Sequence, residues 1–382
     1  MSRITNRWGQ ACTTAVPTRE VTIFAGHEGA RYSHHHQLTA LNGVLYATWS
    51  NAAIHEDSPG QHVMIATSDD LGDTWSEERV LVGPIAGEFE DAVLNATGIH
   101  VHDGRMVAYY GHYDYNKDGL RLLYEQTTGL NGKADTSVSW HQDVYTGILV
   151  SDDAGETWQD AGRIAGFISY IQPHRLRSER LVLPGQMRHP WTDDPFGVEG
   201  WTIASIPGLP DDYVDCSQGF HFGKQFRGDK FTCSEGSCFE TDDDVVHMML
   251  RSEINKLVVA ESHDDGVTYG EPELTDYTDA NCRFHFGRLP DGRFIGLSCP
   301  SPRATDFRTP MILATSDDGV VFDTHYVLGD EPNRPPRANG IQKFGRYGYP
   351  SFYLLGDNIH VIYSIGKEDI ATMRVPLDAL GN

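Results

Sequence analysis

Short apolar runs with period-two alternation recur along the chain, and each is followed by a polar turn. Val63 to Ala66, Gly147 to Val150, Leu257 to Ala260 and Met311 to Ala314 have the spacing of half-buried strands. Each run leads into a copy of one pattern. Ser68-Asp69-Asp70-Leu71-Gly72-Asp73-Thr74-Trp75 recurs as Ser151-Asp152-Asp153-Ala154-Gly155-Glu156-Thr157-Trp158 and as Ser262-His263-Asp264-Asp265-Gly266-Val267-Thr268-Tyr269. A shorter copy reads Ser316-Asp317-Asp318-Gly319-Val320-Val321-Phe322. Asp and Gly together predict a tight turn, because the carboxylate accepts from nearby backbone N–H groups and glycine tolerates positive φ. The closing aromatic is placed to pack under the loop.

Four such hairpins imply a repeated sheet unit, and the last two set its length at about 55 residues. The 382 residues are then expected to form an all-β fold, a single β-propeller domain over 1–382. The blades begin near Tyr32, Ala92, Ile168, Ser234, Asn281 and Tyr347. The count is six, with residues 207–233 leaving room for a seventh. The third blade carries no box, although Arg180 to Pro184 and Trp201 to Ile206 read as strands. Glu20 to Ala25 is a strand available to close the ring, which would remove exposed sheet edges. The second blade holds a long polar insertion, Asn116 to Asp143, and no convincing amphipathic helix is read anywhere.

The formal charge of −24 argues against nucleic acid or an anionic membrane as partner, since those need clustered Lys and Arg. No apolar run approaches the roughly 18 residues of a membrane span. Any anionic ligand must meet a locally basic pocket, which makes the arginines worth locating. Six cysteines, Cys12, Cys216, Cys233, Cys238, Cys282 and Cys299, lack paired zinc-site spacing. Their even number favours disulfides and therefore an extracellular protein. Met1-Ser2-Arg3 opens no signal peptide, but a Met added to a mature sequence would read the same.

The boxes are similar to the Asp-box repeats of the sialidase superfamily, over nearly the whole chain. In that family they lie on the outer rim and are structural. The resemblance implies a Tyr–Glu nucleophile pair, a proton donor and three arginines for a carboxylate. Tyr349, Glu235 or Glu240, Arg251 and Arg308 fall in suitable blades. The first arginine, of an Arg-Ile-Pro motif, is replaced by Tyr32-Ser33-His34-His35-His36-Gln37. That segment, with His55-Glu56-Asp57-Ser58-Pro59-Gly60-Gln61 and Asn281-Cys282-Arg283-Phe284-His285, resembles the ulvan lyases and the lyases of terminal L-rhamnose-α-1,4-D-glucuronate.

A uronate lyase needs a base for the C5 proton, a positive group on the carboxylate and an acid for the leaving O4. Histidine can serve near neutral pH. Strand alternation sets His35 opposite to His34 and His36. His35 is the first catalytic candidate, then His34, with His55 as partner across the hairpin and His112 at a strand end beside Tyr115. Arg175, Arg188, Arg251, Arg283 and Arg308, with His189 and His285, are the carboxylate candidates, because a bidentate Arg–carboxylate pair is strong and directional. Tyr115 and Tyr349 complete the expected substrate-binding set. Trp191, Trp201 and Phe220 could supply a sugar platform, although core filling is the simpler expectation.

The leading expectation is a monomeric polysaccharide lyase that releases terminal rhamnose from an anionic glycan by β-elimination. The alternatives are a glycoside hydrolase of the sialidase superfamily, either α-L-rhamnosidase or exo-sialidase, and a non-catalytic carbohydrate-binding propeller. The chemistry calls for no cofactor. Structural calcium is left open at Asp242-Asp243-Asp244, which lacks EF-hand spacing and fits a solvated turn.

Overall fold

The computed structural model of the protein describes residues 2–127, 141–209, 213, 233–252, 254–300, 308–340, 343 and 345–381. Its strands form six sheets arranged as propeller blades. The first blade comprises Tyr32–Leu41, Val44–Ala52, His62–Ser68 and Arg79–Val82. The second comprises Val93–His102, Arg105–Tyr115, His141–Ser151 and Gln159–Ala165, and the third His174–Arg175, Leu181–Val182, Arg188–Thr192 and Thr202–Ser205. The fourth runs through Cys233–Glu240, Val246–Ser252, Lys256–Ser262 and Glu273–Thr278, and the fifth through His285–Arg288, Phe294–Ser298, Met311–Ser316 and Thr324–Gly329. Gly348–Leu355, Asn358–Ile365 and Asp369–Pro376 belong to the sixth.

Two N-terminal strands join the last two blades, one completing the four strands of the sixth and the other adding a fifth strand to the fifth. Val21–Phe24 pairs antiparallel with Asp369–Pro376, and Cys12–Ala15 pairs parallel with Thr324–Gly329. Between blades the core is aliphatic and aromatic, as around Leu297, Leu313, Val361 and Tyr363. The strands alternate accordingly, with inward residues buried on the neighbouring sheet.

Each box is the turn between the third and fourth strands of its blade, in the first, second, fourth and fifth blades. The serine hydroxyl accepts from the glycine N–H, at 2.9 Å for Ser68–Gly72 and 2.8 Å for Ser151–Gly155. The second aspartate of the box accepts from the threonine N–H and hydroxyl, at 2.9 and 2.6 Å for Asp70–Thr74. Those bonds hold the Asp70 carboxyl down at about 2, and the Thr157 bonds do the same for Asp153. The preceding blade braces the loops of the second and fourth blades: Tyr46 Oη donates to Ala154 O at 3.0 Å, and Arg180 Nη1 to Asp265 O at 3.0 Å. At the ring's seam Arg374 of the sixth blade reaches Asp73 at 3.4 Å.

Two expectations need correction. The insertion after Tyr115 contains an α-helix, Lys117–Thr127, which packs Leu123 and Leu120 on Tyr113 and Tyr115. Its apolar face is only one turn wide, too short to stand out as a period. Among the described residues the cysteines are free: Cys12 is exposed and Cys233, Cys238, Cys282 and Cys299 are buried. The even number that suggested disulfides gives way to placement: four of them sit in the core, where cysteine behaves as a small hydrophobe. Cys216 and Phe220 lie outside the described residues. Asp242 to Asp244 form a hairpin turn whose carboxylates meet Arg288 and Arg177 at 2.6 Å each.

Candidate active site

The innermost strands of the first, fourth and sixth blades each carry a bulge. Register shifts fall between His34 and Gln37, between Ser234 and Gly236, and between Gly348 and Ser351. His35, Glu235 and Tyr349 sit in these bulges with φ of 51°, 46° and 51°. L-residues rarely adopt that conformation. The extra residue re-aims a side chain that pleating would direct elsewhere, and the three bulges together deliver a cluster around the Tyr349 ring. Asn281, Arg308 and Lys367, which meet that ring or its partner Arg251, share this conformation at φ of 51°, 41° and 53°, as does Asp57 at 59°.

Tyr349 is the hub. Its hydroxyl donates to Glu235 Oε1, and Arg251 Nη1 donates to both Glu235 Oε2 and, at 2.8 Å, Tyr349 Oη. Arg251 Nε is held by Asn281 Oδ1 at 2.6 Å. Burial alone would raise the Glu235 carboxyl, but Arg251 and the Tyr349 hydroxyl hold it below its ordinary value. Burial pushes the Tyr349 phenol well above its ordinary range. The pair therefore rests as phenol and carboxylate, joined by the hydrogen bond from Tyr349 Oη to Glu235 Oε1. Arg283, Arg308, Arg251 and Lys367 place cationic centres 5.2, 5.4, 5.7 and 5.8 Å from the ring centroid. These distances permit cation–π attraction and make the cluster locally basic inside an acidic protein.

On the other side of Tyr349 lie the histidines. The ring centroids of His34 and His35 are 4.0 and 5.6 Å from that of Tyr349, and His35 stacks on Tyr170 at 4.7 Å. The expected alternation of His34 and His35 onto opposite faces fails because the bulge at His35 resets the pleat. His36 Nε2 meets the Tyr349 carbonyl oxygen at 2.8 Å. His35 Nε2 approaches Glu56 Oε1 to 3.6 Å, and Lys367 Nζ donates to Glu56 Oε2 at 2.5 Å. Burial, followed by the charge of Lys367, holds the His34 and His35 imidazoles well below their ordinary pKa. Burial, then the neighbouring Glu56, pushes the Asp57 carboxyl up to about 7.

The cluster thus includes His34, His35, Arg251, Arg308 and Tyr349 from the sequence-based set. His55 turns its Nδ1 to the Glu56 carbonyl oxygen at 3.0 Å and Ser58 Oγ at 3.1 Å, and its neighbour Glu56 meets His35 in its place. Tyr115 braces that same loop, donating to Asp57 O at 3.0 Å. His112 stacks on Tyr145 at 4.2 Å and meets Asp143 O at 2.9 Å, within the second blade. Arg175 pairs with Glu179 at 2.9 Å and meets His102, away from the cluster. Arg188 donates to Gly166 O at 3.4 Å and lies over Tyr213, and His189 Nδ1 accepts from the Gly185 N–H at 3.2 Å.

Arg283 is beneath the ring yet spends its donors on backbone. It bonds Tyr170 O, Tyr349 O and His36 O, tying three blades at the axis. His285 Nδ1 accepts from the Phe352 N–H at 3.1 Å while its ring stacks on Phe352. Glu240 pairs with Arg177, so Glu235 is the glutamate of the cluster. Arg180 covers Trp191, and Trp201 bonds Gly197 O at 3.0 Å, so neither indole forms a platform in the cluster. Sequence reasoning missed Glu56, Asp57 and Lys367 as site residues. Glu56 and Asp57 stand inside the quoted His55-to-Gln61 segment, but Lys367, in the Gly366-Lys367-Glu368 turn, carries no local signal.

Six blades, four of them bearing boxes, thus gather a tyrosine, carboxylates and arginines into one cluster. Residues 43–361 match the family described as BNR repeat-like domain, and the chain belongs to that family. No curated protein matches the chain in sequence. Among solved structures it is similar to a protein of unknown function from Dyadobacter fermentans, at 16% identity and TM-score 0.63, over 94% of this chain and 100% of that one. It is also similar to the NanB sialidase from Streptococcus pneumoniae, at 15% identity and TM-score 0.61, over 94% and 71%. A third is Trypanosoma rangeli sialidase, at 14% identity and TM-score 0.63, over 96% of this chain and 60% of that one.

Proposed function

We propose that the protein is a glycoside hydrolase acting on a glycan with an acidic sugar, with Tyr349 as nucleophile, Glu235 as its base and Asp57 as proton donor. The observation that carries this reading is the closed triangle of Tyr349, Glu235 and Arg251. As Tyr349 Oη attacks the anomeric carbon, its proton passes to Glu235 and the bond to the leaving oxygen breaks. Asp57 gives that oxygen a proton. Water then cleaves the tyrosyl–glycosyl bond: the Asp57 carboxylate takes the water's proton, Glu235 returns its proton to the departing Tyr349 oxygen, and all three groups are restored. A neutral phenol suits an anionic substrate, because a carboxylate nucleophile would repel it. Arg251, Arg308 and Lys367 supply the positive field for the sugar's carboxylate.

β-Elimination has less support, because two residues assigned to it, His55 and Arg175, point into local contacts. The test uses fluorogenic sialosides, glucuronides and α-L-rhamnosides. Release of the fluorophore by the wild-type protein and its loss in Tyr349→Phe are expected. Ultraviolet absorbance from a 4,5-unsaturated uronate on gum arabic or ulvan would replace this reading with the lyase. Glycan binding without turnover of any substrate would leave a carbohydrate-binding propeller.

A further inference from the structure

His34, His35 and Glu56 bring three ligand atoms within 4.8 Å of one another beside Tyr349. Hydroxyls engage each imidazole at Nδ1: Ser364 Oγ lies 2.7 Å from that of His34, and Ser50 Oγ 3.1 Å from that of His35. Each Nε2 is left to face the cluster. His34 Nε2 is buried and has no hydrogen-bond partner, on a residue with 0% exposure. Such an atom is costly unless something meets it.

The separation of 3.6 Å between His35 Nε2 and Glu56 Oε1 is too long for a good hydrogen bond. An ion about 2.1 Å from each atom in tetrahedral geometry would set them roughly 3.4 Å apart. Glu56 is fixed to offer a single oxygen. Lys367 Nζ holds its Oε2 at 2.5 Å, and Tyr32 Oη donates to Oε1 at 3.0 Å. A hydrogen-bond partner at the second ring nitrogen fixes the tautomer and orientation of a metal-binding imidazole.

We propose that His34, His35 and Glu56 bind one divalent first-row transition ion of the zinc class through two imidazole nitrogens and one carboxylate oxygen, with a coordination position left open beside Tyr349. Two nitrogens and one oxygen suit zinc, whereas calcium takes six to eight oxygens. The charges of Lys367, Arg251 and Arg308 oppose a dication, and they favour an anionic fourth ligand for the same reason. The ion would then grip an oxygen of the acidic sugar from the segment where the sialidase pattern has its first arginine. This role rests on the hydrolase reading, whereas the ion site does not.

The experiment is zinc titration of the full chain, stripped with a chelator, followed by calorimetry and by the visible absorption of the cobalt(II) form. One equivalent with a tetrahedral cobalt spectrum is expected. His34→Ala and His35→Ala should abolish stoichiometric binding, and Ser364→Ala should weaken it roughly tenfold. His263→Ala, at an exposed imidazole, should change nothing. If a histidine variant fails to fold, Glu56→Gln, with its fold verified by circular dichroism, serves the same purpose. Unchanged affinity in the folded variants, loss of binding only in His263→Ala, or no binding by the wild-type protein would overturn the proposal. Tyr349→Phe separates the two readings. It should bind zinc as the wild type does while losing turnover, so a failed ion site leaves the hydrolase standing and a failed hydrolase leaves the ion site standing.

Discussion

The rim boxes and the axial cluster use the same parts, a carboxylate with hydroxyl and N–H donors, toward opposite ends. On the rim, Asp70 accepts from Ser68 and Thr74 in one turn, and all its partners are local. At the axis, Glu235 is bonded by Tyr349 and Arg251, and its tyrosine partner comes from another blade. The local set is exposed and repeated four times, so losing one copy leaves three. The axial set exists once, is buried, and depends on three blades keeping register. A carboxylate saturated by neighbours in sequence stabilises a turn. One balanced between a cation and a phenol can exchange a proton.

The sharpest way to break this contrast is at the hub. Tyr349→Phe should lower kcat/KM by about a thousandfold or more with little change in the thermal midpoint, because the ring and its cation contacts stay. Retained turnover would remove Tyr349 from the chemistry. Next is Glu235→Gln, expected to cost about a hundredfold in kcat and about 3 kcal/mol of stability, since Arg251 loses its buried counter-charge. Chemical denaturation alongside kinetics checks both halves, and a stable but inactive variant would show that the charge pair holds nothing together. Asp57→Asn should reduce kcat by roughly ten- to a hundredfold, with a smaller loss on substrates whose leaving group needs no proton. Equal loss on all substrates would remove the donor role.

The smallest effect belongs to the rim. Asp70→Asn with Asp153→Asn should leave kcat unchanged and alter only the acid limb of stability. These carboxyls are depressed to about 2 in the fold, against about 3.9 when unfolded. Their contribution is present above about pH 4 and fades as pH falls toward 2. Thermal melts between pH 5 and 2 should therefore steepen less in the double variant than in the wild type. An identical acid limb in both proteins would count against the boxes as turn clamps.

The blades were legible because the box is a local device: Ser, Asp, Gly and Thr satisfy one another within a few residues, so the pattern survives without its surroundings. The axial cluster was only half legible. Tyr349, Arg251 and Arg308 carried family context, and Glu235 was one of two glutamates on a strand whose bulge decides which faces in. Alternation misplaced His34 and His35 because a bulge leaves no reliable mark in the side chains around it. Arg283 read like a carboxylate ligand, yet the carbonyls freed near the bulges of His36 and Tyr349 claim it. Lys367 is contributed by a turn more than three hundred residues from its partner Glu56, a pairing that only the closed ring creates.

The two N-terminal strands also bear on the order in which the protein is made. Cys12–Ala15 and Val21–Phe24 leave the ribosome long before their partners, Thr324–Gly329 and Asp369–Pro376. Cys12–Ala15 waits unpaired while four blades and most of a fifth are synthesised, and Val21–Phe24 while five and most of a sixth are. The first four blades can mature as they appear, whereas the sixth gains its fourth strand from the waiting segment only after its own three have been made. Lys367 stands just before the final strand, so the cluster around Tyr349 is assembled at the moment the ring is fastened.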